Sequence, residues 1–198
     1  MSRWALIPIK GFDRGKSRLS EVLSPSERAR LARDLFEHVV GVLRASPEID
    51  DIAAVSDSPE ACEHAERLDV LALRDADDSR GLADVIDSAL RELERRGATS
   101  VMICMGDLPE LTVQDVASVA RQLDESDVVL VPDLLQKGTN VIAVKPPTGL
   151  PSCLGHEDSL RRHRALARML GLNVSVQLSS GIGFDVDRPG DLERMRGH

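Results

Sequence analysis

Rings are almost missing from this chain. Its 198 residues hold no Tyr, one Trp and three Phe, 2% in all, so the core has to be packed from Leu, Val, Ile and Ala, and base stacking is a poor mode of nucleic-acid recognition here. Long basic runs are missing as well. The formal charge is −8, and no stretch of Lys and Arg can follow a phosphate backbone, which argues against DNA or RNA as a partner. Cysteine is scarce: Cys62, Cys104 and Cys153 are odd in number and lack CxxC spacing, so neither a disulfide framework nor a zinc site is indicated. No apolar run reaches the roughly 18 residues of a membrane span, and the opening MSRWALIPIKGF is too mixed for a signal peptide. The expectation is a soluble cytoplasmic protein without a membrane partner.

What is present fits one α/β domain over residues 1–198, with 42% apolar residues for its core. Short apolar runs read as strands at Trp4–Ile9, Ile49–Val55, Val70–Leu73, Val101–Met105, Asp127–Val131, Val141–Val144 and Asn173–Gln177. Helices alternate with them. The first starts at Ser24-Pro-Ser-Glu27, a capping box with Pro25 at the first helical position, and runs to Arg44 with Leu31, Leu35, Val39 and Val42 on one face. Others run from Ser58-Pro59 to Arg67, from Leu82 to Arg96, from Thr112 to Leu123, up to Leu170, and from Pro189. This alternation implies βαβ units and a three-layer α/β/α, Rossmann-like, mostly parallel sheet, with Lys137-Gly-Thr-Asn140 turning the chain into a β-hairpin or an extension across the sheet edge.

The chemistry is organised around Asp107. Five apolar residues, Val101–Met105, lead to Gly106 and then the carboxylate, which sets Asp107 at the carboxyl end of a central strand, where open α/β sheets bind ligands. Far downstream, Asp185-Val-Asp187 is read as extended, so that its two carboxylates share one face. Two such groups repel unless a cation lies between them, and hard divalent ions prefer oxygen ligands.

The first loop gathers Lys10, Arg14, Lys16 and Arg18 around Gly11 and Gly15. It is not a P-loop, because three residues rather than four separate the glycines and Pro25 interrupts soon after. It can still hold a triphosphate through its cations and backbone N–H groups. Arg74–Leu82, between a strand and a helix, suits a nucleobase or ribose. Gly138 and Thr139 offer a turn and a hydroxyl, and His156, Ser159, Arg162 and His163 can face one site, His163 being a candidate general base.

Five pieces in order, Ile7-Pro-Ile-Lys10 with Lys16-Ser-Arg-Leu19, Gly106-Asp-Leu-Pro109, Gly138-Thr-Asn140, Ser159 with His163, and Asp185-Val-Asp187-x-Pro189, make the chain resemble the CofC/FbiD family of MobA-like nucleotidyltransferases along nearly its whole length. The resemblance implies a nucleotide-diphospho-sugar transferase type of fold. It also implies an enzyme that transfers GMP from GTP to the phosphate of 2-phospho-L-lactate, phosphoenolpyruvate or 3-phospho-D-glycerate, on the way to coenzyme F420. By position it implies Mg²⁺ on Asp107, Asp185 and Asp187, and GTP phosphates met by Lys16 and Arg18. Thr139, Gly155 and Ser159 would hold the phospho-acid, Gly81 and Leu82 would lie at the guanine contact, and Lys10, Asn140 and His163 would be further substrate contacts. Family members are often homodimers. Two positions depart from the pattern: Gly81-Leu82 is followed by Ala83 where the family usually has Asn, and Gly155 and Ser159 stand one residue further apart than usual. The competing readings are a nucleotide-sugar glycosyltransferase, which shares the Asp-x-Asp metal site, and a regulatory module that binds nucleotide without turnover.

Overall fold

The computed structural model describes residues 2–75 and 81–196. In chain order the elements are β1 (Arg3–Pro8), α1 (Pro25–Arg44), β2 (Asp51–Ser56), α2 (Pro59–Arg67), β3 (Leu71–Arg74), α3 (Leu82–Arg95), β4 (Ser100–Cys104), α4 (Val113–Asp124), β5 (Val128–Pro132), β6 (Thr139–Val144), α5 (Ser159–Met169), β7 (Val174–Val176), α6 (Ser180–Gly183) and α7 (Pro189–Arg196). A single 3-10 turn, Ser17–Leu19, precedes α1.

The strands form one sheet in the order β3-β2-β1-β4-β6-β5-β7. All neighbours are parallel except β6, which is antiparallel to both β4 and β5. The hairpin turned by Lys137–Asn140 is therefore β5–β6. It lies inside the sheet rather than across an edge, and all six residues of β6 are buried. Buried strands of this kind read as continuous Val, Ile, Leu and Ala because helices cover both faces.

One face carries Phe36, Val39, Val40 and Leu43 of α1, Ala61 and Ala65 of α2, and Val116, Val119, Ala120 and Leu123 of α4. The other carries Ile86, Ala89, Leu90 and Leu93 of α3 with Leu160 and Ala167 of α5. This is the three-layer arrangement. The inward stripe of α1 is wider than the period of four suggested: Phe36, Val40 and Leu43 join it, whereas Leu31 and Val42 are only partly buried. The Ser24–Glu27 capping box is present with both of its hydrogen bonds.

A third, smaller cluster matters most for function. Leu19 from the 3-10 turn, Leu35 from α1, and Phe184, Val186 and Leu192 from the last segment pack together. Leu19 follows Arg18 directly, and Phe184 and Val186 alternate with Asp185 and Asp187. Burying the apolar members turns the cationic loop and the late carboxylates towards one place.

Candidate active site

Parallel pairing of β1 with β4, Leu6 opposite Ile103, makes the loops after both strands leave at the same edge of the sheet. Because β6 runs the other way, its beginning arrives at that edge: Met105 N–H donates to the Asn140 carbonyl at 3.0 Å. Gly106 makes the turn possible, since a Cβ there would sit 3.1 Å from Ile9 Cγ2 and 3.2 Å from Ile7 Cγ2.

Asp107 and the late pair meet. Asp107, Asp185 and Asp187 each offer a carboxylate oxygen, and these atoms all lie within 4.8 Å of one another. Lys16 Nζ donates to Asp107 Oδ2 at 2.5 Å and to Asp187 Oδ1 at 3.4 Å, while Arg18 Nη1 reaches Asp187 Oδ2 at 3.2 Å. The Lys16 side chain is 7% exposed and that of Arg18 61%. Lys16 adopts a left-handed backbone conformation, φ 53°, unusual away from glycine and held by its ion pairs and the 3-10 turn it opens.

The electrostatics follow from this crowding. Burial acts to lower the Lys16 pKa, but the two carboxylates together outweigh it and hold the ammonium above its ordinary value. Burial, then the charges on Asp107 and Asp187, push Asp185 up to about 6, against the opposing help of Asn140 and Lys16. The cluster carries more negative charge than its fixed cations balance.

A cleft of about 790 Å³ opens from this cluster. Lys10, Lys16, Arg18, Asp107 and Asp187 line it, as do Gly81 and Leu82. Asp57 and Asp75 lie on its wall too, and Arg14, expected among the loop cations, pairs with Asp57 at 2.6 Å. Of the loop read as a base or ribose contact, residues 76–80 lie outside the described residues.

The remaining site residues are not among those that line the cleft. Asn140 is buried; its Nδ2 donates to the Ile182 carbonyl at 2.9 Å and approaches Asp185 Oδ1 at 3.4 Å, so it steadies the late carboxylate. Thr139 and Ser159 are buried and bonded to each other at 3.2 Å. Gly155 is exposed with φ +92° and packs against Leu82.

His163 needs a different role from that of a base. It is 0% exposed, and its Nε2 accepts the Cys153 backbone N–H at 2.8 Å, which places the proton of the neutral ring on Nδ1, 3.3 Å from Thr139 Oγ1. Burial pulls its pKa down to about 4. It therefore braces Thr139 and the 152–154 segment and does not face a ligand. Ser159 does converge with it, since both bond Thr139 Oγ1, whereas His156 is exposed and Arg162 pairs with Asp158 at 2.5 Å.

Two features escaped the sequence. Asp191, read only as part of the last helix, accepts from the backbone N–H of Asp187 at 3.0 Å and of Arg188 at 2.6 Å, the reach-back that an acid three positions into a helix makes. The four-residue α6, capped by Ser179, lies in a Ser-Ser-Gly run that reads as loop. The three cysteines are free, as their spacing indicated. Among the described residues no helix is long and apolar enough to cross a membrane.

Comparison with known proteins agrees with this geometry. The chain is 35% identical over 198 residues to a phosphoenolpyruvate guanylyltransferase of Sphaerobacter thermophilus, covering 100% of this chain and 94% of the relative. It is 30% identical over 195 residues to a 2-phospho-L-lactate guanylyltransferase of Methanothermobacter thermautotrophicus, covering 97% and 83%. Among solved structures, a putative nucleotide-diphospho-sugar transferase from Desulfovibrio desulfuricans superposes with TM-score 0.81 at 19% identity, over 97% of this chain and 85% of that one. A CMP:2-keto-3-deoxy-manno-octonic acid synthetase complexed with CTP gives 0.69 at 14%, over 100% and 98%. Those likenesses show the α/β fold of this group. The family described as guanylyl transferase, CofC-like, matches residues 3–198, and the chain belongs to it.

Proposed function

We propose that the protein transfers GMP from GTP to the phosphate of a small phospho-acid, releasing pyrophosphate, as a step of coenzyme F420 assembly in the cytoplasm. The observation that carries this reading is the meeting of Asp107, Asp185 and Asp187 beside Lys16 and Arg18 at the mouth of the cleft. Relatives named for phosphoenolpyruvate stand between 29% and 36% identity and those named for 2-phospho-L-lactate at 30% and 33%; the two ranges overlap, and phosphoenolpyruvate, named for the relatives at 35% and 36%, is the first acceptor to try. 3-Phospho-D-glycerate belongs to the same chemical class.

The donor set suits Mg²⁺. It consists of oxygens only, within 4.8 Å of one another, and Asp185, raised first by burial and then by the charges of Asp107 and Asp187, is a carboxylate that a hard cation would stabilise in its ionised form. Asp107, Asp185 and Asp187 would hold the ion, which when bound supplies charge neutralisation at the phosphates.

The chain's own residues do the rest. The acceptor phosphate is already ionised near neutral pH, so the reaction requires no general base, consistent with a buried, neutral His163. What is required is alignment of two anions and relief of their repulsion. Lys16 and Arg18 bring two positive charges to the triphosphate end of the cleft, and Lys10 a third nearby. Gly81 and Leu82 border the same space and would line the nucleoside. Thr139, Ser159 and Gly155 are the residues we assign to the acceptor, Thr139 and Ser159 joined by their hydroxyls at 3.2 Å and Gly155 beside Leu82 of the cleft wall.

The test is GTP and Mg²⁺ with each of the three phospho-acids, followed by pyrophosphate release and the mass of the product. A guanylylated phospho-acid is expected. Release of a nucleoside diphosphate from a sugar nucleotide, or GTP binding with no product from any acceptor, would overturn the assignment.

A further inference from the structure

Asp107 and the Asp185–Asp187 pair come from stretches about 80 residues apart, yet a shared ion tolerates little error in where they stand. Something must fix the register between them. Burial of Phe184 and Val186 holds the segment against the body, but apolar contacts are not directional and do not fix a distance. The polar contacts between the two stretches are few and specific.

At the start of α4, five residues after Asp107, Thr112 caps the helix. Asp115 Oδ2 accepts from Thr112 N–H at 3.0 Å and from its hydroxyl at 2.6 Å, an ordinary capping box. The second oxygen of Asp115 does something a capping box does not need: Oδ1 accepts the Ser179 hydroxyl proton at 2.7 Å, from 64 residues away. Ser179 Oγ in turn accepts the Ile182 N–H at 3.1 Å and so starts α6. The turn is pressed onto the Asp107 side without clearance. A Cβ on Gly181 would stand 2.6 Å from the Glu110 carbonyl oxygen and 2.8 Å from Asp115 Oδ2. The Ile182 carbonyl then receives Asn140 Nδ2 at 2.9 Å, and Asp185 follows three residues on.

We infer that Asp115, Ser179 and Gly181 form a latch that sets the distance between the two carboxylate stretches, making them positioning residues for the metal and the transfer reaction. The inference rests on the proposed ion site. None of the three lines the cleft. Their effect runs through Asp185 and Asp187.

The latch separates from general stability by comparing variants. Mn²⁺ is titrated calorimetrically into the full chain in the presence of an α,β-methylene GTP analogue that cannot transfer. Ser179→Ala is expected to weaken Mn²⁺ about tenfold and Gly181→Ala about a hundredfold, the range for groups that orient ligands from behind. Asp115→Asn, which keeps an acceptor at Oδ1, stays near wild type, and Asp115→Ala falls with Ser179→Ala. Thr112→Ala removes the cap but not the latch; it lowers Tm and leaves Mn²⁺ affinity unchanged. If Gly181→Ala does not fold, Ser179→Ala against Thr112→Ala decides alone. Wild-type Mn²⁺ affinity in folded Ser179→Ala, or a loss that Thr112→Ala shares, overturns the latch. Wild-type chain that binds no Mn²⁺ overturns both the latch and the ion site. Mn²⁺ binding that depends on the latch, with no guanylylated product from any acceptor, upholds the latch and sinks only the proposed reaction.

Discussion

Lys16 holds two offices that it cannot fill together. In the free protein its ammonium lies on Asp107 and Asp187, two of the three groups that would take the divalent ion, and in the proposed reaction it would be needed at the triphosphate. The attraction between unit charges about 4 Å apart near a protein surface is about 4 kcal/mol, so the lysine is a real competitor for the ion. Lys16→Met is therefore expected to bind Mn²⁺ about tenfold more tightly without nucleotide, a change of about 1.4 kcal/mol, and to bind GTP more weakly. Mn²⁺ binding followed by electron paramagnetic resonance checks the first half and GTP titration the second; weaker Mn²⁺ binding by the variant would count against the competition. Asp107→Asn keeps the shape but loses the charge that faces Lys16 and both partner carboxylates. Its turnover should fall by about a thousandfold, the upper range for losing one preorganised electrostatic partner, with an unchanged circular dichroism spectrum. Pyrophosphate release measures it.

Elements far from the rim should affect stability and not rate. Ser24 caps the 20-residue α1 through a complete capping box, so Ser24→Ala is expected to cost about 1 kcal/mol of unfolding free energy with kcat/KM unchanged, as read by urea denaturation beside the transfer assay. The elements themselves were largely legible, because buried strands write continuous apolar runs and caps write Ser, Thr and Pro at fixed offsets. Asp107 was legible for the same reason: Gly106 follows an apolar run that can only be a central strand. The alternation Phe184-Asp185-Val186-Asp187 correctly announced that both acids share a face. What sequence could not announce was partnership between distant polar groups. Asp115 reads as a helix-capping acid, which it is, and nothing local says that its other oxygen is taken by Ser179. The place of β6 was hidden likewise, since a strand between two antiparallel neighbours looks the same as one at an edge. His163 was a candidate base by its place beside Ser159 and Arg162, and its burial shows it facing inward.

For the molecule as a whole, acid is the informative stress. His163 carries a folded pKa of about 4 against an ordinary 6.5, so below pH 6.5 the unfolded chain takes a proton that the fold refuses, and stability is lost as pH falls towards 4. Asp185 has the opposite sign: about 6 in the fold against an ordinary 3.8, it favours the fold at low pH, and that contribution is lost as pH rises through about 6. Between about pH 4 and 6 the two should nearly cancel in ion-free protein. His163→Gln unmasks the difference: relative to wild type it should gain on the order of 3 kcal/mol between pH 6.5 and 4, measured by denaturant melts across that range, and no gain would show that the ring is not held neutral. Within a body of net charge −8, the rim sets Lys10, Lys16 and Arg18 among Asp57, Asp75, Asp107 and Asp187, so its cations are matched by carboxylates. The reversal of β6 has a longer reach. Since that strand delivers its first residues, Thr139 and Asn140, to the rim, the loop from 133 to 138 that feeds it meets α6 and α5, with Leu134 N–H on the Gly183 carbonyl at 3.0 Å and the Lys137 carbonyl on Leu160 N–H at 3.1 Å. On the proposed function, a change in that loop would reach the acceptor side and, through α6, the late carboxylates together.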